Sequence, residues 1–167
     1  MKPNLNNSIV LIGAGEHGKV IAEILEAMQA PILGFYDEDP AKQQVWDYPV
    51  RHQIDAFGPL DSIQWVIGLG NNALRKKIDA AFQLNYVTAV HPRAVLSPRT
   101  KLGEGTVVMA GVCVNTGTVI GRHCILNTSC SIDHDCILED FVHISPGVAL
   151  AGRVQVGEGT HIGIGAS

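Results

Sequence analysis

VHPRAVLSPRTKLGEGTVVMAGVCVNTGTVIGRHCILNTSCSIDHDCILEDFVHISPGVALAGRVQVGEGTHIGIGAS, residues 90–167, carries an aliphatic side chain at every sixth position. The series runs Val90, Leu96, Leu102, Val108, Val114, Ile120, Leu126, Ile132, Leu138, Ile144, Leu150, Val156, Ile162 without a gap. Two residues before each member stands a smaller one, among them Thr106, Val112, Thr118, Cys124, Cys130, Cys136, Val142 and Val148. The residue after the aliphatic is often one that tolerates a tight turn, as at Gly103, Asn115, Gly121, Asn127, Asp133, Gly157 and Gly163, so the turns are expected there. A period of six suits neither an amphipathic helix nor a hairpin ladder. It suits a parallel β-helix, in which three short strands close one triangular coil and successive coils stack. The register holds through Ile162, and Ser167 follows with neither capping helix nor polar closing strand. The expectation is a β-helix truncated at its C-terminus, with the cap missing.

Upstream the pattern changes. Ser8–Ile12 reads as a buried strand, and Gly13-Ala14-Gly15-Glu16-His17-Gly18 links it to helical spacing from Lys19 to Met28. Ile32–Tyr36 reads as a second strand ending at Asp37-Glu38-Asp39-Pro40. Residues 41–60 have weak periodicity, with a short strand around Val50. Gln64–Ile67 is a third strand, and Gly68-Leu69-Gly70-Asn71-Asn72 leads into a helix over residues 73–84. Strand–helix alternation predicts a small parallel α/β unit. Two domains are expected: residues 1–85, Rossmann-like, and residues 86–167, the β-helix.

The bulk composition, 46% hydrophobic and 17% charged, is that of an ordinary soluble protein. A net charge of −4 offers no electrostatic draw for nucleic acid or an acidic membrane, so neither is expected as a partner. No apolar run reaches the length of a spanning helix. The N-terminus, MKPNLNNSIVLIGAGEHG, runs into the first strand without a small-residue cleavage site. It therefore reads as carrying no signal peptide, and the expected compartment is the cytoplasm. Cys124, Cys130 and Cys136 occupy successive copies of the small inward position, so they read as core fillers rather than metal ligands or disulfides.

Gly13, Gly15 and Gly18 satisfy G-x-G-x-x-G, and Asp37 stands where a Rossmann domain holds a ribose. Such glycines let phosphates approach N–H groups at a helix N-terminus. A dinucleotide normally spans two mononucleotide halves, and about ninety residues hold only one. A loop of this kind holds a single nucleotide diphosphate equally well, with a dinucleotide and a purely structural glycine turn as the other readings. Within the ladder, Asn127-Thr128-Ser129, His134-Asp135 and His143 break the monotony. His134 should point outward near a corner, where a histidine can serve as general base if a carboxylate fixes its tautomer. Asp135 is the candidate carboxylate, provided that a corner separates two residues that would face opposite ways on a strand. His143 and His161 are eighteen apart, one coil, and should stack at about 4.7–4.9 Å. No third histidine shares that stack, and no metal is expected.

These residues resemble the bacterial nucleotide-amino-sugar N-acetyltransferases of the bacillosamine and perosamine pathways. The resemblance is carried by GAGEHG at residues 13–18, GNNALRKKI at residues 70–78, and ILNTSCSIDHDCILEDFVHISPGVALAG at residues 125–152. It implies a Rossmann-like domain followed by a left-handed β-helix, assembled as a homotrimer with active sites between adjacent β-helices. By that resemblance His134 is the catalytic base and Asp135 its acidic partner. His143, Gly152 and Ile164 contact acetyl-CoA, and Asn127 is grouped with them. Gly15, Glu16 and His17 cradle the sugar nucleotide, with Asp37, Glu38 and Gly70 as further substrate contacts. Gly15 and Glu16 stand where the commoner G-A-S-G-H-G loop has serine and glycine.

The chemistry so implied is acyl transfer from acetyl-CoA to the 4-amino group of a UDP- or GDP-linked 4-amino-4,6-dideoxy sugar. Donors near His143 would stabilise the thioester oxyanion, and a neutral His134 implies activity that falls at acidic pH. Two other readings are O-acetylation of sialic acid and a non-catalytic nucleotide-binding trimer. A truncated β-helix would bind nucleotide sugar yet hold CoA poorly.

Overall fold

The computed structural model describes residues 8–167. The leader-free reading of the N-terminus falls partly on residues 1–7, outside the described residues. Strands β1 (Ile9–Ile12), β2 (Ile32–Tyr36), β3 (Gln44–Val45), β4 (Tyr48–Arg51) and β5 (Gln64–Ile67) form one sheet in the order β3-β4-β2-β1-β5. All pairs are parallel except β3 with β4, a small hairpin that the weak periodicity of residues 41–60 concealed. All four residues of β1 are buried, because both faces of the sheet are covered. Ile9 and Leu11 join the core that continues into the second half of the chain. Val10 and Ile12 pack with Tyr36, Trp65 and Tyr86 on the opposite face.

Helix α1 spans Glu16–Ala27 and begins three residues earlier than the apolar spacing indicates. Gly15 caps it and Gly13 takes the left-handed turn (φ 105°), so Gly18 lies inside the helix. A Cβ on Gly18 would lie 2.1 Å from the Gly13 carbonyl oxygen, which only glycine avoids. Helix α2 (Asn72–Phe82) starts on Asn71, whose side-chain oxygen accepts from the Leu74 N–H at 3.0 Å.

From Ala89 onward the chain winds through two-residue strands on three sides. The first side holds β6 (Ala89–Val90), β9 (Val107–Val108), β12 (Ile125–Leu126), β15 (His143–Ile144) and β18 (His161–Ile162). The second holds β7 (Val95–Leu96), β10 (Cys113–Val114), β13 (Ser131–Ile132) and β16 (Ala149–Leu150). The third holds β8 (Lys101–Leu102), β11 (Val119–Ile120), β14 (Ile137–Leu138) and β17 (Gln155–Val156). Each strand from β6 to β15 pairs in parallel with the strand eighteen residues on, as Leu126 does with Ile144 and Val114 with Ile132. This is the parallel β-helix that the six-residue period predicts.

Inside the coils the small series does more than fill space. Thr106 and Thr118 each donate to the carbonyl fifteen residues on, Gly121 and Asp133, at 2.8 Å, and each accepts the N–H of the cysteine one coil above at 3.1 Å. The Cys124 and Cys136 thiols point to the equivalent carbonyls of Glu139 and Ala151 at 3.1 and 3.2 Å. Cys124, Cys130 and Cys136 are all fully buried and unpaired, and burial pushes the thiols of Cys124 and Cys130 up to about 11 and about 12. The corners differ from expectation. From Leu102 on, the left-handed residue is the third after each aliphatic, not the first: Gly105, Gly111, Gly117, His123, Ser129, Asp135, Phe141, Gly147, Arg153, Gly159 and Gly165.

The first side is roofed by the α/β unit, so its outward residues Ala89, Val107 and Ile125 are buried in one core shared with Ile21 and Leu25 of α1. Helix α2 lies along the corner where the third side turns into the first. Asp79 meets Arg122 and His123, each at 3.1 Å. Arg75 reaches the carbonyls of His123 and Phe141, and Asn72 those of Gly159 and Thr160. The three grips are spaced about 4.5 and 6 Å along the helix, close to the stacking distance of the coils.

Candidate active site

Two clusters of the expected residues form, on different sides of the molecule. The first is the corner between the second and third sides. The His134 Nδ1 lies 3.0 Å from Asp135 Oδ2. These adjacent residues converge because Asp135 adopts a left-handed conformation (φ 57°), which turns its side chain back over the corner. The carboxylate accepts, so Nδ1 is the donor and Nε2 carries the free lone pair. Two residues passed over by sequence reasoning hold the corner still. Asp133 Oδ1 accepts from the His134 N–H and from Asn115 Nδ2, both at 2.8 Å, and these bonds hold its carboxyl below the usual range. In sequence both read only as turn residues.

Gly152 lies one coil above His134. A Cβ there would sit 2.6 Å from His134 Nε2, so the imidazole occupies the space that glycine leaves. Gly117, one coil below Asp135, does the same for that carboxylate, at 2.3 Å from Oδ1. A groove of about 590 Å³ opens beside His134, bordered by Val95, Pro98, Val114 and Thr116.

The second cluster is where the first side meets the α/β unit. The rings of His143 and His161 stack with centroids 4.4 Å apart and planes 2° from parallel. The Asn127 side chain accepts from the Thr128 N–H at 2.8 Å, which directs its amide nitrogen to His143 Nε2 at 3.2 Å. His143 Nε2 is therefore the acceptor and Nδ1 the protonated nitrogen. Ser145 similarly meets His161 Nε2 at 2.8 Å. His17, from the first turn of α1, brings its ring to 6.4 Å from that of His143. Burial, then the Arg75 charge, pushes His17 down to about 4. Burial, then the charges of His161, Arg75 and His17, pushes His143 down to about 4, and the Gly70 backbone opposes the shift weakly.

Gly15 and Gly70 both face open space, unlike Gly13, Gly18 and Gly68, where a Cβ would collide with neighbouring backbone or Leu69. The loop thus divides into glycines required by packing and one, Gly15, that keeps a surface clear at the helix N-terminus. Glu16 is exposed and paired with Lys19 at 2.9 Å. Asp37 turns inward to the loop: Oδ2 accepts from the Ala14 N–H and Lys42, both at 2.8 Å, and Oδ1 from the Asp39 N–H at 3.0 Å. Partial burial opposes them, but these bonds hold its carboxyl below the usual range. Glu38 is exposed and accepts from Tyr36 at 3.3 Å. Ile164 is 81% exposed. Among the described residues no group of three or more His, Cys, Asp and Glu is placed to hold a metal ion, and no helix is long and apolar enough to cross a membrane.

A family model described as PglD N-terminal domain matches residues 8–81. The UDP-N-acetylbacillosamine N-acetyltransferase of Bacillus subtilis (strain 168) is 34% identical over 111 residues, 62% of this chain. The match covers 51% of that enzyme, so the chain spans about half the length of this curated relative. The acetyltransferase domain of PglB from Neisseria gonorrhoeae FA1090, solved with acetyl coenzyme A, has a TM-score of 0.88 at 36% identity over 96% of this chain and 80% of that one. A mutant perosamine N-acetyltransferase from Caulobacter crescentus, solved with CoA and GDP-perosamine, gives 0.86 at 36% identity over 93% of this chain and 77% of that one. The likeness runs through both halves, in sequence as well as in fold, and on that ground the chain belongs to the bacterial family of nucleotide-amino-sugar N-acetyltransferases.

Proposed function

We propose that the chain transfers the acetyl group of acetyl-CoA to the 4-amino group of a UDP- or GDP-linked 4-amino-4,6-dideoxy sugar, as a homotrimer with active sites between β-helices. The observation that carries this reading is the His134–Asp135 corner, with Nδ1 committed to the carboxylate and Nε2 free. The acceptor nitrogen attacks the thioester carbon, Nε2 takes its proton as the C–N bond forms, and the C–S bond breaks to release CoA. Asp135 stabilises the imidazolium, which then returns the proton to the departing thiolate. The relatives whose names specify amino-sugar N-acetylation favour this over O-acetylation of sialic acid.

The placement of the two clusters supports the oligomer. Gly15, His17 and Gly70 lie over the first side, and His134 lies at the opposite corner of the triangular coil. One copy cannot present its own glycine loop to its own base, so the acceptor at His134 is held by a second copy. The groove beside His134 is of small-ligand size. We place the domain division at residues 85/86, supported by the family match ending at residue 81 and the first coil strand at Ala89. The cytoplasm is the compartment that suits both co-substrates.

The test is thiol release from acetyl-CoA with a panel of UDP- and GDP-amino sugars. His134→Ala should lower turnover by about 10²–10⁴-fold. A loop variant with a bulky Gly15→Trp should be inactive alone yet restore activity when refolded together with His134→Ala, because mixed trimers contain one intact interface. Near wild-type turnover by His134→Ala would sink the assignment of the base. Absence of complementation would sink the shared site.

A further inference from the structure

Arg75 is 1% exposed, and among the described residues no carboxylate pairs with it. Its guanidinium is satisfied by carbonyls alone: Nε donates to His123 O at 3.0 Å, Nη2 to Phe141 O at 2.9 Å, and Nη1 to Leu69 O and Gly70 O at 3.2 and 3.1 Å. His123 and Phe141 are left-handed corner residues of successive coils, at φ 51° and 60°. Most other members of that corner series are glycine. Here two non-glycine residues are held in a costly conformation, their rings stacked 5.4 Å apart with Tyr86 edge-on to His123. The corner is thus built to turn two carbonyls toward α2. The other two carbonyls belong to the second glycine loop, beside Gly70 and within reach of His143 and His17.

We propose that Arg75 is a positioning residue for the acceptor site: it fastens the Leu69–Gly70 loop to two coils of the β-helix and so fixes that loop over His143 and His17. This rests on the reading of that face as the sugar-nucleotide site. A guanidinium suits the task because its planar fork reaches four acceptors at once, whereas an ammonium acts as a point donor. The choice of a cation without a counter-ion has a further effect. Burial first and then this charge lower His17, and burial, His161 and then this charge lower His143, so both rings stay neutral. The His17 imidazole then faces an incoming anionic nucleotide as a hydrogen-bonding group rather than as a cation.

Two variants of this chain test this, Arg75→Met and Arg75→Lys, with two measurements. Titration of the histidine ring protons by NMR needs neither acetyl-CoA nor acceptor, so it stands whatever becomes of the proposed reaction. In Arg75→Met the midpoints of His17 and His143 should rise toward the ordinary value near 6.5, by at least about half a pH unit, while Arg75→Lys leaves them low. In steady-state kinetics Arg75→Lys should raise the acceptor KM about tenfold with kcat within about twofold, the signature of weakened binding. If Arg75→Met does not fold, Arg75→Lys decides through its KM. Unchanged midpoints in Arg75→Met, or an unchanged acceptor KM in Arg75→Lys, overturns the proposal, even if both variants melt at lower temperature.

Discussion

His134 and Gly152 act as one unit, since the ring of the first fills the space that the second leaves. Gly152 has no left-handed backbone to protect, so an added methyl group acts only through its contact with the imidazole. Gly152→Ala is therefore expected to lower kcat at least about tenfold while circular dichroism and melting temperature stay near wild type, because a displacement of about 1 Å at a reacting group is enough. A full-rate Gly152→Ala enzyme would show that the imidazole sits elsewhere during turnover. His134 was legible because it interrupts a strict repeat. Its link to Asp135 was not, because neighbours on a strand diverge and only the left-handed φ of Asp135 brings them together. Arg75 was less legible still. In sequence it is one cation on an amphipathic helix, and nothing local shows that it faces four carbonyls instead of water.

At the level of elements, the coil is held by a repeated side-chain rung as well as by its aliphatic stack. Thr118 satisfies a part-buried carbonyl of Asp133 and a buried N–H of Cys136 at once. Thr118→Val keeps the shape and strands both groups, so it should cost about 1–3 kcal/mol, read as a shift in the chemical-denaturation midpoint. Thr118→Cys should lose less, since the thiols of Cys124 and Cys136 serve the same carbonyl position. Equal losses for the two variants would remove the rung from the account. The strands were fully legible from the period of six. The corners were displaced by two residues because glycine and asparagine mark the start of these turns in sequence, while the backbone reverses two positions later. The short strand expected around Val50 is β4, but its pairing with β3 is not legible because two residues leave too little alternation to detect.

At the scale of the molecule, the junction between the two halves is lined by neutral histidines. His17 and His143 titrate at about 4 when folded and near 6.5 when unfolded, and His123, buried against Asp79, is also lowered. Between those limits the unfolded chain binds more protons than the folded one, so stability is complete above pH 6.5 and declines as the pH falls toward 4. Denaturation midpoints at pH 8, 7, 6 and 5 should be flat across the first two and fall across the last two. A constant midpoint from pH 8 to 5 would mean that the junction titrates like an exposed surface. That the two halves share one core was not readable from the chain, because each half is consistent with its own pattern and the pattern says nothing about their contact.

The match between the pitch of α2 and the pitch of the coils makes the solenoid extensible in one direction only. Eighteen residues inserted beyond residue 160 would add a layer that the helix never touches, and the junction would be undisturbed. The same insertion between His123 and Phe141 would move one anchor a full layer, about 4.8 Å, beyond the reach of a guanidinium already at its bonding distances. Lengthening of this architecture by duplication is thus free on the far side of the clamp and forbidden beneath it.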